Sequence, residues 1–505
     1  MIIIHGHFYQ PPREDPWLET ILPEPSAAPY RHWNERIAYE CYEPNALLGN
    51  YTWISFDFGP TLLDWLRRRR PHVYGAVIEA DKIGRERWGH GNAIAHPYYH
   101  AILPLLDRKD KEVLVEWGIK HFERHFERYP EGMWLPEMAV DVETLEVLAQ
   151  YDIKFTILTQ RQIKGGGPGG PYEVLLPSGR KILVFVRDEA LSDKIAFGGP
   201  DELPKAMEAA PRDGVTLVAL DGETFGHHKK GEERVLATAT AKYGAYMANL
   251  GHAADRIKPL GVVEIVPGTS WSCPHGLGRW TRDCGCGGPA PWRQPLREAI
   301  NWLNDAVDEA FERWSNSRGV DGWMLLRKYV EVLLGERAED FAREAAPSIP
   351  PRELLGMLEM ERAKLAANTS DAWFFARLGL EAGISVKWAV RALELLGDRD
   401  ALDKFTEMLK DVKGEPAGNA AALIPTLRGP VVVASIALAS TVSGYSVEEL
   451  GPYQISLNGT KVRVVDRRTL EIWELDYSEF GVPVLRAVNQ EVRDKYNHVA
   501  RVCLV

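Results

Sequence analysis

The sequence predicts an α/β protein: a barrel of parallel strands, then a helical region, then a small β region. Three observations predict it. Over roughly the first 290 residues, short apolar runs alternate with amphipathic stretches, as in strand–helix units around a parallel sheet. Polar, titratable or aromatic residues follow these runs one after another. From Pro295 the apolar spacing becomes three and four, and beyond Pro430 strand-like runs return.

The apolar runs are Ile2–Ile4, Trp53–Phe58, Ala93–Ala95, Met133–Leu135, Lys154–Leu158, Ile182–Val186, Thr216–Leu220 and Val262–Val266. Stretches such as Glu112–Tyr129 and Asp141–Ala149 lie between them as helices. After the first run come His5, His7 and Gln10, and after the second Asp57 with Gly59-Pro60. His96 and His100 follow the third, Glu137 the fourth, then Gln160, Asp188, Asp221 with Glu223, and Trp271 with His275. A β/α barrel builds its active site at the carboxyl ends of its strands, which is where this series falls.

Glu137 closes the stretch Gly132-Met133-Trp134-Leu135-Pro136-Glu137. Pro136 cannot donate to a sheet ladder, so the strand stops there and presents the carboxylate at its end. Trp134 offers a flat apolar face beside it. An acid beside an aromatic plate suits a sugar-cleaving site; a core Trp with a surface or capping Glu is the alternative.

The glycine-rich Gly165–Pro171 turn leads into Tyr172–Leu176 and Lys181–Val186, a hairpin returning to a barrel strand. It lacks the Lys-Ser/Thr ending of a phosphate loop and does not join a strand to a helix, which excludes a nucleotide site. Leu296–Trp314, Met324–Leu334, Pro351–Leu365 and Val386–Leu396 read as helices. The expected boundaries are 1–294 for the barrel, 295–413 for the helical region, 414–429 for a linker and 430–505 for the β region. Val431–Ile436, Tyr453–Leu457, Lys461–Val465 and Leu470–Leu475 are its strands, with Asn458-Gly459 as a hairpin turn.

At 505 residues the chain can bury a core without disulfides or metals. A net charge of -11 with no basic block beyond Arg67–Arg70 argues against nucleic acid as partner. No apolar run reaches the roughly 18 residues of a membrane span. Met1–Ile4 is too short for a signal segment, and five cysteines in so long a chain fit a reducing compartment. A cytoplasmic location is expected.

Ile4-His5-Gly6-His7-Phe8-Tyr9-Gln10-Pro11-Pro12, Trp134-Leu135-Pro136-Glu137 and Leu220-Asp221-Gly222-Glu223-Thr224-Phe225-Gly226, in that order, resemble motifs of glycoside hydrolase family 57. Thr369-Ser370-Asp371-Ala372-Trp373-Phe374-Phe375 resembles the family's last motif. The resemblance covers residues 1 to 400, roughly. It implies an incomplete TIM-like (β/α)7 barrel, a helical domain that completes the active site, and action on α-glucans or maltooligosaccharides with retention of configuration. It assigns Glu137 as nucleophile and Asp221 as acid/base, with no cofactor required. Glu223 is the rival acid, its alternative being a loop-fixing hydrogen-bond partner. His5, His7 and Gln10 would meet sugar hydroxyls, with metal binding as the other reading of His-x-His. Trp134 and Trp373 would stack on glucose rings and Asp371 would hold hydroxyls. His96, His100, Asp188, Trp271 and His275 are further substrate-binding candidates.

The Ser270–Trp280 segment and the Leu358-Glu359-Met360 run resemble a less characterised subgroup, so membership is firmer than exact activity. α-1,4-Glucan hydrolysis is expected. 4-α-Glucan transfer or branching would use the same intermediate, and a glucan-binding protein without turnover is the alternative of another class. Cys273, His275, Cys284 and Cys286 form a Cys-x-His…Cys-x-Cys set. Tetrahedral structural zinc, free thiols, and a disulfide from Cys273 to Cys284 or Cys286 are the readings it leaves open. Trp271, Trp280 and Trp292 in this stretch could extend a sugar groove.

Overall fold

A computed structural model describes residues 1–476, apart from 212, 427, 443–447 and 460. It divides into two compact units, each assembled from separated pieces of chain. The first comprises Met1–Pro11, Asn34–Cys286 and Thr369–Phe374. The second comprises Pro12–Trp33, Gly287–Asn368 and the chain from Phe375 onward. The first unit therefore takes the Thr369–Phe374 motif out of the helical stretch, and the second takes residues 12–33 out of the barrel stretch.

The first unit is a closed ring of seven staves. Strand β1 (Ile2–Phe8) lies between β2 (Ser55–Phe58) and β7 (Thr216–Asp221), parallel to both. Beyond β2, single parallel bridges join Phe56 to Ala93 and Ala95 to Met133, making staves of residues 93–95 and 132–134. Gly132 then bridges Phe155 of β3 (Phe155–Thr159), which runs parallel to β6 (Lys181–Arg187). The Asp188 N–H donates to the Leu217 carbonyl at 2.8 Å and ties β6 to β7, closing the ring. This is the (β/α)7 barrel.

Every residue of β1 is buried, as expected of a parallel strand covered on both faces. Helices such as Pro71–Trp88, Arg108–Phe126 and Val142–Gln150 follow staves, and side-chain caps start several of them. Asp107 accepts from Asp110 N–H at 2.9 Å and Asp141 from Thr144 N–H at 2.7 Å.

The glycine-rich turn runs as expected: β4 (Ile163–Lys164) precedes it, and β5 (Gly169–Leu175) pairs antiparallel with β6. The Val262–Val266 run is not a stave. Its β8 (Glu264–Ile265) pairs antiparallel with β4, outside the ring, because β7 has already closed on β1.

The second unit packs long helices, among them Arg293–Arg318, Pro351–Ala367 and Leu380–Leu396, with an antiparallel sheet. Tyr453–Asn458, Lys461–Asp466 and Ile472–Asp476 form strands, with Asn458 paired to Lys461 across the turn. The run expected as a strand at Val431–Ile436 is instead part of the helix Pro430–Val442. An unbroken apolar run does not separate strand from helix, and Pro430 at the first helical position presets the helical φ. Val432, Val433, Ile436 and Ala437 bury against Tyr453, Ile455, Val462 and Val464. Residues 414–429, expected as a linker, include a two-residue strand pair and a short helical turn. Residues 477–505 of the expected β region lie outside the described residues. Among the described residues no helix is long and apolar enough to cross a membrane.

Candidate active site at the carboxyl ends of the barrel strands

Register places the polar groups. His7 pairs with Asp57 on one side and Asp221 on the other, so these three residues sit abreast on adjacent parallel strands. Parallel neighbours in register point to the same face, here the barrel mouth. His5, His7 and Tyr9 alternate along the chain and share that direction.

Asp57 is fully buried between two imidazoles: His5 Nε2 lies 3.0 Å from one carboxylate oxygen and His7 Nδ1 2.8 Å from the other. Burial lowers His7 to about 4, against the pull of Asp221, and His96 to about 4, against Asp57. Both rings are neutral near pH 7. A neutral His7 that gives its Nδ1 proton to Asp57 keeps Nε2 as acceptor. His100 Nε2, 3.3 Å away, then donates to it, and His100 Nδ1 accepts from the Ser370 hydroxyl at 2.6 Å. Ring nitrogens of His7, His96 and His100 lie within 4.8 Å of one another.

Trp134 forms the floor. It has no exposed surface and stacks on His7 and His5, with centroids 4.6 and 5.2 Å apart. Trp373 is equally buried. Neither expected sugar platform offers a face to a ligand, because the apolar ring that sequence places beside the acid is used beneath the histidines. Trp280 and Trp292 are buried as well. Trp271 is part-exposed, edge-on to Trp134 at 5.2 Å, with the Arg187 guanidinium 5.2 Å from its ring centroid.

Glu137 does not simply end a strand. It sits in a helical turn, Pro136–Met138, with φ of +57°, and Met138 follows at +48°. Left-handed conformations in non-glycine residues cost about 1–3 kcal/mol and need external support. Trp271 N–H donates to the Glu137 carbonyl at 2.9 Å, and the Gln162 amide donates to the Met138 carbonyl at 2.6 Å. The Glu137 carboxylate accepts from Trp271 Nε1 at 3.0 Å and from the Ser272 hydroxyl at 2.5 Å. Burial, reinforced by the Asp221 charge, raises its pKa to about 7; the Ser272 and Trp271 hydrogen bonds pull it back.

Asp221 opens to the cleft but is ringed by protein, which raises its pKa; His7 and Arg187 oppose the rise. Among the described residues none hydrogen-bonds its carboxyl. Gly222 follows, and a Cβ there would meet the Phe8 ring at 2.2 Å, so the turn can lie flat on Phe8 only as glycine. Glu223 points away into the core. It accepts from the Tyr42 hydroxyl at 2.6 Å and Tyr9 N–H at 3.3 Å, and burial, with the Asp221 charge, raises it to about 8.

The remaining expected residues divide between the cleft and local structure. Tyr9 donates its hydroxyl to Asp371 at 2.6 Å and stacks on His100 at 4.0 Å, which brings the last motif to the first. Gln10 is buried and donates to Tyr42 at 3.3 Å. Asp188, expected to contact substrate, caps the helix Glu189–Phe197 through Leu191 N–H at 2.9 Å. His275 is exposed and belongs with the cysteines. Sequence reasoning missed the supporting roles of Asp57, Tyr9, Tyr42, Ser272 and Ser370. The alternation from His5 through His7 to Tyr9 pointed to Tyr9, and Ser272 adjoins Trp271.

The four loop residues do converge. Cys273 Sγ lies 3.8 Å from Cys284 Sγ and 3.7 Å from Cys286 Sγ, and Cys286 Sγ lies 3.5 Å from His275 Nδ1. The sulfurs are too far apart for a disulfide, where about 2.05 Å is required, and all three cysteines are free of one.

Residues 17–265 match the family model for glycosyl hydrolase family 57, and residues 290–427 match a domain of unknown function, DUF3536. Alpha-amylase 1 of Dictyoglomus thermophilum is 26% identical over 229 residues, which are 42% of this chain and 33% of that relative. The match thus spans a third of the relative's length. An exo-type maltose-forming amylase from Pyrococcus sp. ST04 shares the fold with a TM-score of 0.65 at 16% identity, covering 81% of this chain and 83% of that one. The α-amylase AmyC from Thermotoga maritima does so with a TM-score of 0.51 at 15% identity, over 84% and 99%. A 4-α-glucanotransferase from Thermococcus litoralis gives 0.50 at 15%, over 92% and 64%. The barrel segment that carries both Glu137 and Asp221, residues 17–265, is thus a glycosyl hydrolase family 57 segment.

Proposed function

We propose that this protein is a retaining glycoside hydrolase that cleaves α-1,4 linkages of α-glucans or maltooligosaccharides. Glu137 is the nucleophile and forms the covalent glycosyl ester; Asp221 protonates the leaving oxygen and then deprotonates water. The observation that carries this reading is the asymmetry of the two carboxyls. Asp221 ends β7, Glu137 lies in the turn that follows the stave of residues 132–134, and the Asp221 charge bears on Glu137. Glu137 has two side-chain donors and Asp221 none, so a single shared proton rests on Asp221. That is the state from which a retaining reaction starts: nucleophile charged, acid loaded. Once Glu137 is esterified its charge is gone, the Asp221 pKa falls, and Asp221 serves as base.

Glu223, pinned between Tyr42 and Tyr9, fixes the loop and leaves acid/base work to Asp221. His7, His96, His100, Asp371 and Trp271 line the sugar site, with Trp134 beneath. No cofactor enters this chemistry, and the metal suited to the cysteine loop is structural zinc. The low cysteine count and the absence of a basic block favour a cytoplasmic protein whose partner is glucan rather than nucleic acid or membrane.

Incubation with maltooligosaccharides, with the first-formed anomer read by NMR, tests the proposal. Retention of the α anomer is expected; a β product would rule out the ester on Glu137. The amylase and glucanotransferase names among the similar proteins keep transfer as the second reading, since the same ester can be taken by water or by a sugar hydroxyl. Longer products appearing beside shorter ones would favour transfer or branching. Binding without turnover would favour a glucan-binding protein.

A further inference from the structure

We propose that Cys273, His275, Cys284 and Cys286 bind one zinc ion in a closed tetrahedral site, and that this ion holds the loop segment carrying Trp271 and Ser272 against Glu137. The first half rests on geometry. Zinc with bonds of about 2.3 Å to sulfur and about 2.05 Å to nitrogen places two sulfur ligands about 3.8 Å apart and a sulfur and a nitrogen about 3.5 Å apart. The observed separations are 3.8 and 3.7 Å for the sulfur pairs and 3.5 Å from Cys286 Sγ to His275 Nδ1. All four ligand atoms lie within 4.8 Å of one another. Three of the six ligand pairs thus stand at the spacing a tetrahedral zinc requires, and the other three fall within the same 4.8 Å cluster.

The tight Cys-x-Cys spacing is accommodated by Gly285, whose φ of +78° turns the chain between the two sulfurs. The ligands are soft thiolates plus imidazole, the donor set of structural zinc rather than of magnesium or calcium. With four protein ligands no open position remains, so the ion takes no part in bond cleavage.

The second half rests on connectivity. Ser272 and Trp271 directly precede Cys273, and together they supply both side-chain donors to the Glu137 carboxylate and the N–H that holds its carbonyl. Residues 271–286 contain one regular element, the four-residue turn of helix Gly278–Thr281. Arg279 donates to the Ser272 carbonyl at 3.0 Å from within that helix. A segment with so little secondary structure and three glycines depends on a crosslink for its shape. The zinc assignment is independent of the role given to Glu137; the consequence for Glu137 rests on that role.

Elemental analysis of the full-length protein, purified without chelator, tests the first half. About one zinc per chain is expected from a single closed site; a metal content below about a tenth of that, or iron in place of zinc, overturns it. Cobalt exchanged into the wild-type protein should give the intense visible bands of tetrahedral thiolate–imidazole coordination; octahedral cobalt spectra count against the site. Cys286→Ser and His275→Ala should each lose bound zinc, and retention of full zinc in both refutes the ligand set. For the second half, chelator-stripped wild type should be cut by protease within residues 273–286 at least tenfold faster than the zinc form, roughly as expected for a loop released from its crosslink. Trp271 fluorescence should change with it. Equal cleavage and unchanged emission would refute the clamp while leaving the metal site and the glucanase reading standing. A zinc-bearing protein without glucanase activity would overturn that reading and not the site.

Discussion

Ser272→Ala isolates the hydrogen bond that most directly sets the state of Glu137. The hydroxyl lies 2.5 Å from Glu137 Oε2, and the Trp271 indole N–H at 3.0 Å is the other side-chain donor to that oxygen. A hydrogen bond to a charged group is worth about 1.5–3 kcal/mol. Its loss penalises only the ionised carboxylate, so the Glu137 pKa should rise by about 1–2 units from its value near 7. The sign follows from the proposed mechanism: Glu137 as nucleophile must be ionised, so activity should fall as pH drops through this pKa. At pH 6 the ionised fraction, about a tenth in the wild type, should fall a further 10- to 100-fold. The limb belongs to the coupled Glu137–Asp221 pair, but Ser272 touches only one member. The assay is kcat/KM on a maltooligosaccharide from pH 4 to 9, with thermal unfolding as control. An acid limb that stays in place while Tm is unchanged would refute the assignment of Glu137 as the group that must ionise.

Glu137→Gln should lower kcat by about 10⁴-fold or more with glucan binding retained, since the proposed covalent step would have no nucleophile; isothermal titration and a product assay separate the two. Asp57→Asn should weaken both His5 and His7 contacts and cost about 2–4 kcal/mol of stability, read by denaturant unfolding, because one amide cannot accept from two imidazoles on both atoms. Glu223 binds its proton more tightly folded, near 8, than unfolded, so its contribution to stability is full below the ordinary Glu range and declines as pH rises toward 8. Glu223→Gln should therefore flatten the fall in Tm between pH 5 and 8; an unchanged slope would show that Glu223 is not held neutral.

The barrel was legible because buried parallel strands leave a strong local signal. β1 opens with three consecutive isoleucines, and titratable residues gather at the carboxyl ends of the staves in series. The eighth run misled because Val262–Val266 has the same apolar composition, and composition does not record that β7 had already met β1. Val431–Ile436 misled for a related reason: its β-branched residues fit a strand, but the continuing Ala-rich apolar run behind Pro430 packs as a helix on the sheet. At the site, the positions of Glu137 and Asp221 could be read from strand ends. The burial of Trp134 and Trp373 could not, because an aromatic beside an acid has the same sequence whether it faces ligand or core. Nor could the exchange of residues 12–33 and 369–374 between units, which depends on contacts far apart in the chain. Asp188 shows the local alternative at work: an Asp after a strand is also the preferred helix cap.

Tyr9 shows how the first and last motifs act together, and Tyr9→Phe tests it. Its ring stacks on His100 at 4.0 Å, its N–H donates to Glu223 at 3.3 Å, and its hydroxyl donates to Asp371 at 2.6 Å. The substitution keeps the ring and the backbone bond and removes only the hydroxyl. Asp371 then loses one donor that orients it, while its part-exposed carboxylate stays able to reach water or sugar. If Asp371 holds a sugar hydroxyl, the misorientation should cost about 1.5–3 kcal/mol in kcat/KM, a factor of roughly 10 to 100. The cost should fall on KM when the contact is equal in ground and transition states, and on kcat when it tightens as the ring flattens. The pH limbs should not move, because neither Glu137 nor Asp221 loses a partner. Melting should change little, since no buried group is left unpaired. A wild-type kcat/KM in Tyr9→Phe, with the fold intact, would remove Asp371 from the sugar site; a shifted acid limb would instead place Tyr9 in the proton network of Glu137.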